Sequence, residues 1–466
     1  VGSRLTPTMV RLTTILLTLL FAPQAPFAAA DIRRPSPSAD EPPVDTPEEE
    51  SAEKAGDKED SKKDEKKKKV EEDRYFALHG GSVHTVTGGV LQGMTILAKN
   101  GKIVEINREV DIPEKAEVLD ARKYHVYPGL VAAASGSIFG GGEPDDTTNV
   151  YSLEMSLGLA GGITTALAGN TAAKLTYGSV DDMIVRRNVF KTLRYATSSP
   201  NERRKLREKF DKVRQYLRDL EDFEEKKKTD PDAEPPKKDW IKGEFKTCLD
   251  LLQHKAKAKM DALTAQQILG ACELAETYGI DIVVIGAVEG WTVPSRMARA
   301  GLSAVVTPRR RWPEDDTLNR PTGSSIESPA TLYRAGVPIA VVPQTSAITT
   351  WGLAGRDLMH LNMEAAFAVR GGLTDEEAIR TITIDAARLL GIDHRVGSIE
   401  LGKDADFIVT DGDLLHYMTL VQWSVVNGRI VYDKQKDTLF DHIRPDGDLN
   451  APPPNDYWPR SLGAAK

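Results

Sequence analysis

Only two cysteines, Cys248 and Cys272, occur in 466 residues. Two thiols cannot supply a disulfide framework or a Cys-rich metal site. One bridge in an oxidising compartment is the single covalent option, set against the usual fate of lone cysteines as small buried hydrophobes. Histidine is also sparse: the eight are His79, His84, His125, His254, His360, His394, His416 and His442. No two stand at His-x-His or His-x3-His spacing, so no local pair of imidazole ligands is written in the chain. A Gly-x-Ser-x-Gly elbow is absent, and Ser135 has no base beside it in sequence, which removes the usual support for a serine hydrolase. Charge of one sign is missing too. The 61 Lys and Arg against 69 Asp and Glu leave a net charge of −8, and the lysine runs are interleaved with acids, as in "GDKEDSKKDEKKKKVEEDR". That pattern excludes a basic nucleic-acid surface.

One apolar run stands out. "MVRLTTILLTLLFAPQAPFAAAD" places Arg11 before an apolar stretch from Leu12 to Phe21, then small residues at Ala28 and Ala30. This order is that of a secretory signal, with cleavage expected after Ala30. Pro23 and Pro26 interrupt the run, so a membrane anchor is the weaker reading. The expected location is exported, periplasmic or extracellular, with no membrane span after signal cleavage. Residues 31–73 are Pro, Ser, Glu, Asp and Lys with few large apolar side chains, the composition of a disordered charged tether. Residues 435–466, with "APPPNDYWPR", read as a Pro-rich tail.

The folded part changes character twice. Residues 74–126 alternate apolar and polar side chains between "GG", "TGG" and "NGK", which predicts hairpin strands. A second set of this kind, over 394–434, includes "VQWSVVNGRIVY". The two sets predict one composite β-sandwich. Between them, over 127–393, short apolar strands without alternation ("GITTALAG", "GIDIVVIG", "LSAVVTP", "GVPIAVV") are separated by helical segments. Such α/β units predict a parallel sheet closed as a TIM-like (β/α)8 barrel. Residues 200–240 interrupt it. Leu206, Phe210, Val213, Tyr216, Leu217 and Leu220 recur at helical spacing, so an amphipathic helix is expected there, packed on its own barrel, with a partner-binding helix as the alternative.

Three stretches carry a family resemblance. "NGKIVEIN" followed by "AEVLDARKYHVYPGLV" leads into the first barrel strand. "GLAGGITTALAGNTAAKLTYG" follows. "LTDEEAIRTITIDAARLLGIDHRVGSIELGKDADFIVTDGD" leads out of the barrel. Over about Tyr75 to Tyr432 the chain resembles the amidohydrolase superfamily, nearest to its imidazolonepropionase-like members. The resemblance implies hydrolysis of C–N bonds other than peptide bonds, with one or two divalent metals such as zinc at the C-terminal ends of barrel strands. There the metal lowers the pKa of bound water and polarises a carbonyl.

Against that pattern the sequence departs at every ligand position. Where the family has an acid and His-x-His on the first strand, this chain has Ala132, Ala134 and Gly136. Asp261 falls where a fifth-strand histidine is expected, and Gly286 or its neighbour Ile285 where a sixth-strand histidine is. Gln344 takes the place of the eighth-strand aspartate, and an amide has no useful basicity. These are degenerate site positions, so no cofactor is expected and the protein reads as a pseudoenzyme. Asp261, Glu289 and Gln344 form the one rescue site, with oxygen ligands for a hard cation. For Glu289 the competing role is to cap a helix beginning near Trp291.

Two motifs near the mouth read as loops: the Gly-rich "FGGGEPDD", and "TPRRRWPEDD", whose Arg309, Arg310 and Arg311 have internal ion pairing as their expected role and anion binding as the alternative. The expected partners are a second copy or an amidohydrolase paralogue, with a small-molecule ligand in a solute-binding barrel as the further alternative.

Overall fold

The computed structural model describes residues 73–195, 198–231, 233–349 and 355–436. The expected signal segment, the tether before Asp73 and the tail beyond Lys436 lie outside the described residues. Among the described residues no helix is long and apolar enough to cross a membrane.

The two ends of the chain share one eight-stranded sheet. From the N-terminal side come β1 (Tyr75–His84), β2 (Val90–Gln92), β3 (Thr95–Lys99), β4 (Lys102–Asn107) and β5 (Glu117–Pro128). After β6 to β14, given below, β15 (Phe407–Thr410), β16 (Val421–Val426) and β17 (Arg429–Asp433) complete it. The order is β17-β16-β15-β5-β1-β3-β4, with β2 on β1. The join is the antiparallel pairing of β5 with β15, which sets Pro128 opposite Phe407. Both "NG" dipeptides turn hairpins as expected. Asn100 and Gly101 have φ of 51° and 82°, and Asn427 and Gly428 have 52° and 61°. A tight hairpin needs two such left-handed residues, and Asn and Gly adopt them at least cost.

The barrel strands follow. β6 (Leu130–Ser135) pairs in parallel with β7 (Ile163–Ala168). β7 then reverses at Gly169 (φ 56°) into β8 (Thr171–Lys174), antiparallel to it, and β9 (Ile184–Arg186) pairs with β8. This hairpin stands where a strand–helix unit was expected. β10 (Phe190–Thr192), β11 (Lys257–Ala262), β12 (Ile282–Gly286), β13 (Ser303–Val306) and β14 (Ile339–Val341) form a parallel sheet in sequence order. The amide of Gly136 donates to Ser346 O at 2.9 Å, bringing the end of β6 to the chain beyond β14. The architecture is a TIM-like barrel beside a composite β-layer.

Strand alternation sorts the barrel side chains into two faces. Ala258, Met260, Ala262, Val284, Ala304, Val306, Ile339 and Val341 join the outer core with Ile268, Ala271 and Cys272 of the helix Ala265–Tyr278. Ala133, Leu167, Phe190, Val283, Val305, Ala340 and Val342 form the inner one. The same inner cluster takes Ala386, Ala387, Leu389 and Leu390, so the helix Ile384–Leu390 stops the barrel at one end. Its C-terminal carbonyls are gripped by cations, as the helix dipole favours. Lys257 Nζ donates to Arg388 O and Leu389 O at 3.0 and 3.1 Å, and Arg186 donates to Gly391 O at 3.1 Å.

The insertion is a helix over Pro200–Lys227, capped by the Ser199 hydroxyl on the Glu202 amide. Phe210 and Val213 are buried, and the Phe210 ring stacks on Tyr278 with centroids 4.7 Å apart. Its apolar stripe therefore packs on the chain's own barrel helix. Cys248 and Cys272 are free thiols, buried on two different helices, so the disulfide option is not taken. Burial pushes both thiols up to about 11, which leaves them protonated and inert near neutral pH.

Candidate functional site

At the end of the barrel opposite the helical stop lie the strand ends where the family's metal ligands would converge. Ala134 packs against the inner cluster, and Gly136 is exposed just beyond β6. Ser135, between them, has a buried hydroxyl with no hydrogen-bond partner among the described residues. The β11–β12 register sets Asp261 opposite Ile285 and Ala262 opposite Gly286. Ile285, which packs on the inner cluster, is therefore the inward residue of the pair proposed for the sixth strand. Gly286 has a φ of 96°, and a Cβ there would meet Leu263 Cδ2 at 2.5 Å. Asp261 and Gln344 are both exposed at this rim.

Glu289 has a different task from the one expected. It does not cap the short turn near Trp291. Its Oε2 accepts from the amide of Ala265 at 2.8 Å, the first residue of the helix Ala265–Tyr278, and from Arg320 at 3.0 Å. Its Oε1 accepts from the amide of Gly323 at 3.1 Å, and the residue is only 3% exposed. Burial pushes the carboxyl up, but the two amides and the Arg320 guanidinium outweigh it and hold the group below its ordinary value. Both oxygens accept hydrogen bonds, so Glu289 ties the start of the helix Ala265–Tyr278 to the Arg320–Gly323 loop.

A divalent metal does not fit this donor set. It needs several imidazole or carboxylate donors converging from different strands. The rim supplies a methyl at Ala134, no side chain at Gly136 or Gly286, an amide at Gln344 and one carboxylate at Asp261. Among the described residues no three His, Cys, Asp or Glu side chains gather as ligands. Lys259, on the same face of β11 as Asp261, adds an ammonium that opposes a dication.

The remaining titratable groups of interest lie elsewhere. Arg309 is not paired within its own loop. Its Nε donates to Glu364 Oε2 at 2.8 Å and its amide to Oε1 at 2.9 Å, anchoring the loop to the helix Leu361–Arg370. His360 Nδ1 lies 2.6 Å from Asp357 Oδ1.

Sequence spacing missed one pair: His84 Nε2 is 3.1 Å from His125 Nδ1, and His84 stacks on Tyr127 at 4.1 Å. Parallel pairing of β1 with β5 brings these rings together, 41 residues apart in the chain. Burial, reinforced by His125 and opposed by Asp413, lowers His84 from 6.5 to about 4. A base with a depressed folded pKa binds its proton more readily when unfolded. Stability is therefore lost as pH falls from 6.5 toward 4. For a half-exposed ring we expect this loss to be about 2 kcal/mol, screening included. Urea melts across that range should show a flatter pH dependence for His84→Phe, and an unchanged slope would refute the assignment.

Comparison with known proteins bears on the fold and the family. The model of the amidohydrolase family matches residues 319–440. The imidazolonepropionase of Shewanella frigidimarina is 46% identical over 65 residues, 13% of this chain and 16% of that protein. That of Rhizobium rhizogenes is 33% identical over 156 residues, 32% of this chain and 34% of that one. The chain thus spans a sixth to a third of the length of these curated relatives. A crystal structure of an amidohydrolase from Thermotoga maritima superposes with a TM-score of 0.60 at 22% identity, covering 77% of this chain and 100% of that one.

Proposed function

The chain belongs to the amidohydrolase superfamily and is imidazolonepropionase-like, and from that premise we propose that it is an exported member without metal-dependent hydrolysis, retained as a binding or partner subunit. The observation that carries the reading is the rim of the barrel. Hydrolysis of a C–N bond in this family needs a water made nucleophilic at neutral pH and a polarised carbonyl, and a bound divalent metal supplies both. Here one carboxylate, Asp261, stands where a whole ligand set is required. Glu289, the other oxygen candidate, spends both oxygens on Ala265, Gly323 and Arg320. Gln344 cannot take a proton from water. An active hydrolase with an unconventional centre at Asp261, Glu289 and Gln344 would therefore lack both its ligands and its base.

The partner most in keeping with the fold is an active paralogue or a second copy, because related barrels share association surfaces. Purified protein should carry no stoichiometric zinc, manganese or iron by elemental analysis. Chelator should leave its melting temperature unmoved, and cyclic amides should not be hydrolysed. Stoichiometric metal, removed by chelator together with amide hydrolysis, would sink the reading. Copurification with an amidohydrolase paralogue would support the partner role, and a monodisperse monomer at cellular concentration would oppose it.

A further inference from the structure

A cavity of about 120 Å³ opens where the β-layer meets the barrel, away from the rim. Three turns close on it. The β3–β4 hairpin brings Asn100, the β16–β17 hairpin brings Asn427 and Arg429, and the loop after β8 brings residues 176–182. β7 runs toward the rim beside β6, and β8 runs back antiparallel to β7, so that loop lies at the far end of the barrel.

The lining holds donors that nothing in the protein meets. Arg74 Nη2 donates to the carbonyl of Asn427 at 2.7 Å, which fixes the guanidinium beside the hairpin that carries Arg429. Nη1 of the same group is buried and has no partner among the described residues. Arg429 is exposed and has no side-chain hydrogen bond or ion pair there either. Ser179 Oγ accepts from the amide of Asp181 at 3.0 Å, which leaves its own proton to donate. The wall is set in advance: Tyr151 packs edge-on against the Tyr177 ring at 5.4 Å, and Thr176 Oγ1 donates to Ser179 O at 2.6 Å. A buried guanidinium nitrogen without an acceptor is costly, and in a native fold it marks a place that an anion completes.

Two carboxylates on the lining bound the charge of that anion. Asp182 is committed to Arg395 at 2.7 Å. Asp181 is exposed and forms no ion pair among the described residues. Two guanidinium groups therefore face one free carboxylate, with a single positive charge in excess. That balance suits a monoanion, whereas a dianion meets repulsion from Asp181. The planar fork of arginine donors matches the two oxygens of a carboxylate.

We propose that this cavity binds a small organic monocarboxylate, held by Arg74 Nη1 and the Arg429 guanidinium, with the Ser179 hydroxyl as a further donor. The site goes beyond the reading of the barrel rim and does not depend on it, because its residues lie at the opposite end of the barrel from the strand ends where a metal would sit.

The test uses the full chain at low ionic strength, with acetate, propionate and L-lactate as monoanions and sulfate and malonate as dianions. Calorimetry with ligand up to about 10 mM should show saturable binding of at least one monocarboxylate, with a melting temperature raised by a few degrees. Both dianions should bind more weakly. Arg429→Gln, an exposed change, should weaken the monocarboxylate roughly tenfold. Arg74→Lys, which keeps a cation for the Asn427 carbonyl but loses the fork, should weaken it comparably. Asp181→Asn should tighten it severalfold and should raise the affinity for sulfate and malonate further still. Absence of saturable binding by all three monocarboxylates would overturn the proposal, as would binding that Arg429→Gln retains in full. A dianion bound more tightly than every monocarboxylate, or affinity lost in Asp181→Asn, would overturn it as well.

Discussion

Replacing Lys174 with alanine should cost the fold about 3–5 kcal/mol, the usual penalty for stranding buried carboxylates by removing their cation. Lys174 ends β8 and is fully buried. Its Nζ lies 2.6 Å from Asp404 Oδ2 and 2.5 Å from Asn427 Oδ1, and 2.9 Å from Asp406 Oδ2 as an ion pair without hydrogen-bond alignment. Arg395 Nε reaches Asp404 Oδ2 at 2.8 Å, and Lys102 binds its other oxygen. Burial works against the Asp404 charge, but Lys174 foremost, with Lys102 and Arg395, holds that carboxyl below its ordinary value. Asp406 is buried too, and there burial pushes the carboxyl up. Without Lys174, Asp404 keeps two partners at the edge of the network while Asp406 keeps only the amide of Asn427. Asp406 should then protonate, and part of the stability should return in acid. Urea denaturation of Lys174→Ala and of Lys174→Met/Asp406→Leu separates the causes. The double variant should be the more stable, because it removes the stranded charge along with the cation. A single-variant loss below about 1 kcal/mol would mean that the network is solvated.

This network also shows what was legible in the chain. "GKDADFIVTDGD" signalled the return from barrel to β-layer, and β15 pairs with β5 there. The "NGK" and "NGR" hairpins were legible for the same reason: a local steric requirement, two left-handed residues, maps onto two adjacent letters. The buried cation opposite Asp404 was not legible, because the 230 residues between Lys174 and Asp404 carry no pattern linking them. The approach of His84 to His125 is unmarked for the same reason, since parallel strand pairing has no short-range trace in sequence.

The barrel rim divides in the same manner. That Ala134, Gly136 and Gln344 offer no imidazole or carboxylate is readable directly, because side-chain chemistry is written letter by letter. Whether Gly286 or Ile285 faces inward was not, because a shift of one residue exchanges the faces. Lys257, Lys259 and Asp261 alternate with apolar residues in "KAKMDA". That the apolar set faces the helices and the charged set the interior follows only from how the strand packs. In sequence Glu289 stands two residues before Trp291 and points to a local cap, whereas its carboxylate reaches back 24 residues to Ala265.

Glu289→Ala should accordingly destabilise the protein by about 2–4 kcal/mol, since it leaves two buried backbone donors and the Arg320 guanidinium without their acceptor. Glu289→Gln should cost less, because one amide oxygen can still accept from either backbone N–H while the charge is lost. The pH dependence separates the two terms. The folded carboxyl lies below its ordinary value of 4.5. Its stabilising contribution is therefore fully present above the unfolded pKa and disappears as pH falls through the folded one. Urea melts from neutral pH down to strong acid should show a steep acid loss in the parent that is flattened in Glu289→Gln. A cation site would behave differently: calcium or manganese would stabilise the parent and fail to stabilise the glutamine variant. A cooperative rise in parent stability with millimolar calcium, absent from Glu289→Gln, would return this residue to the ligand set. A shared indifference to the ion would leave it holding the helix Ala265–Tyr278 against the Arg320–Gly323 loop.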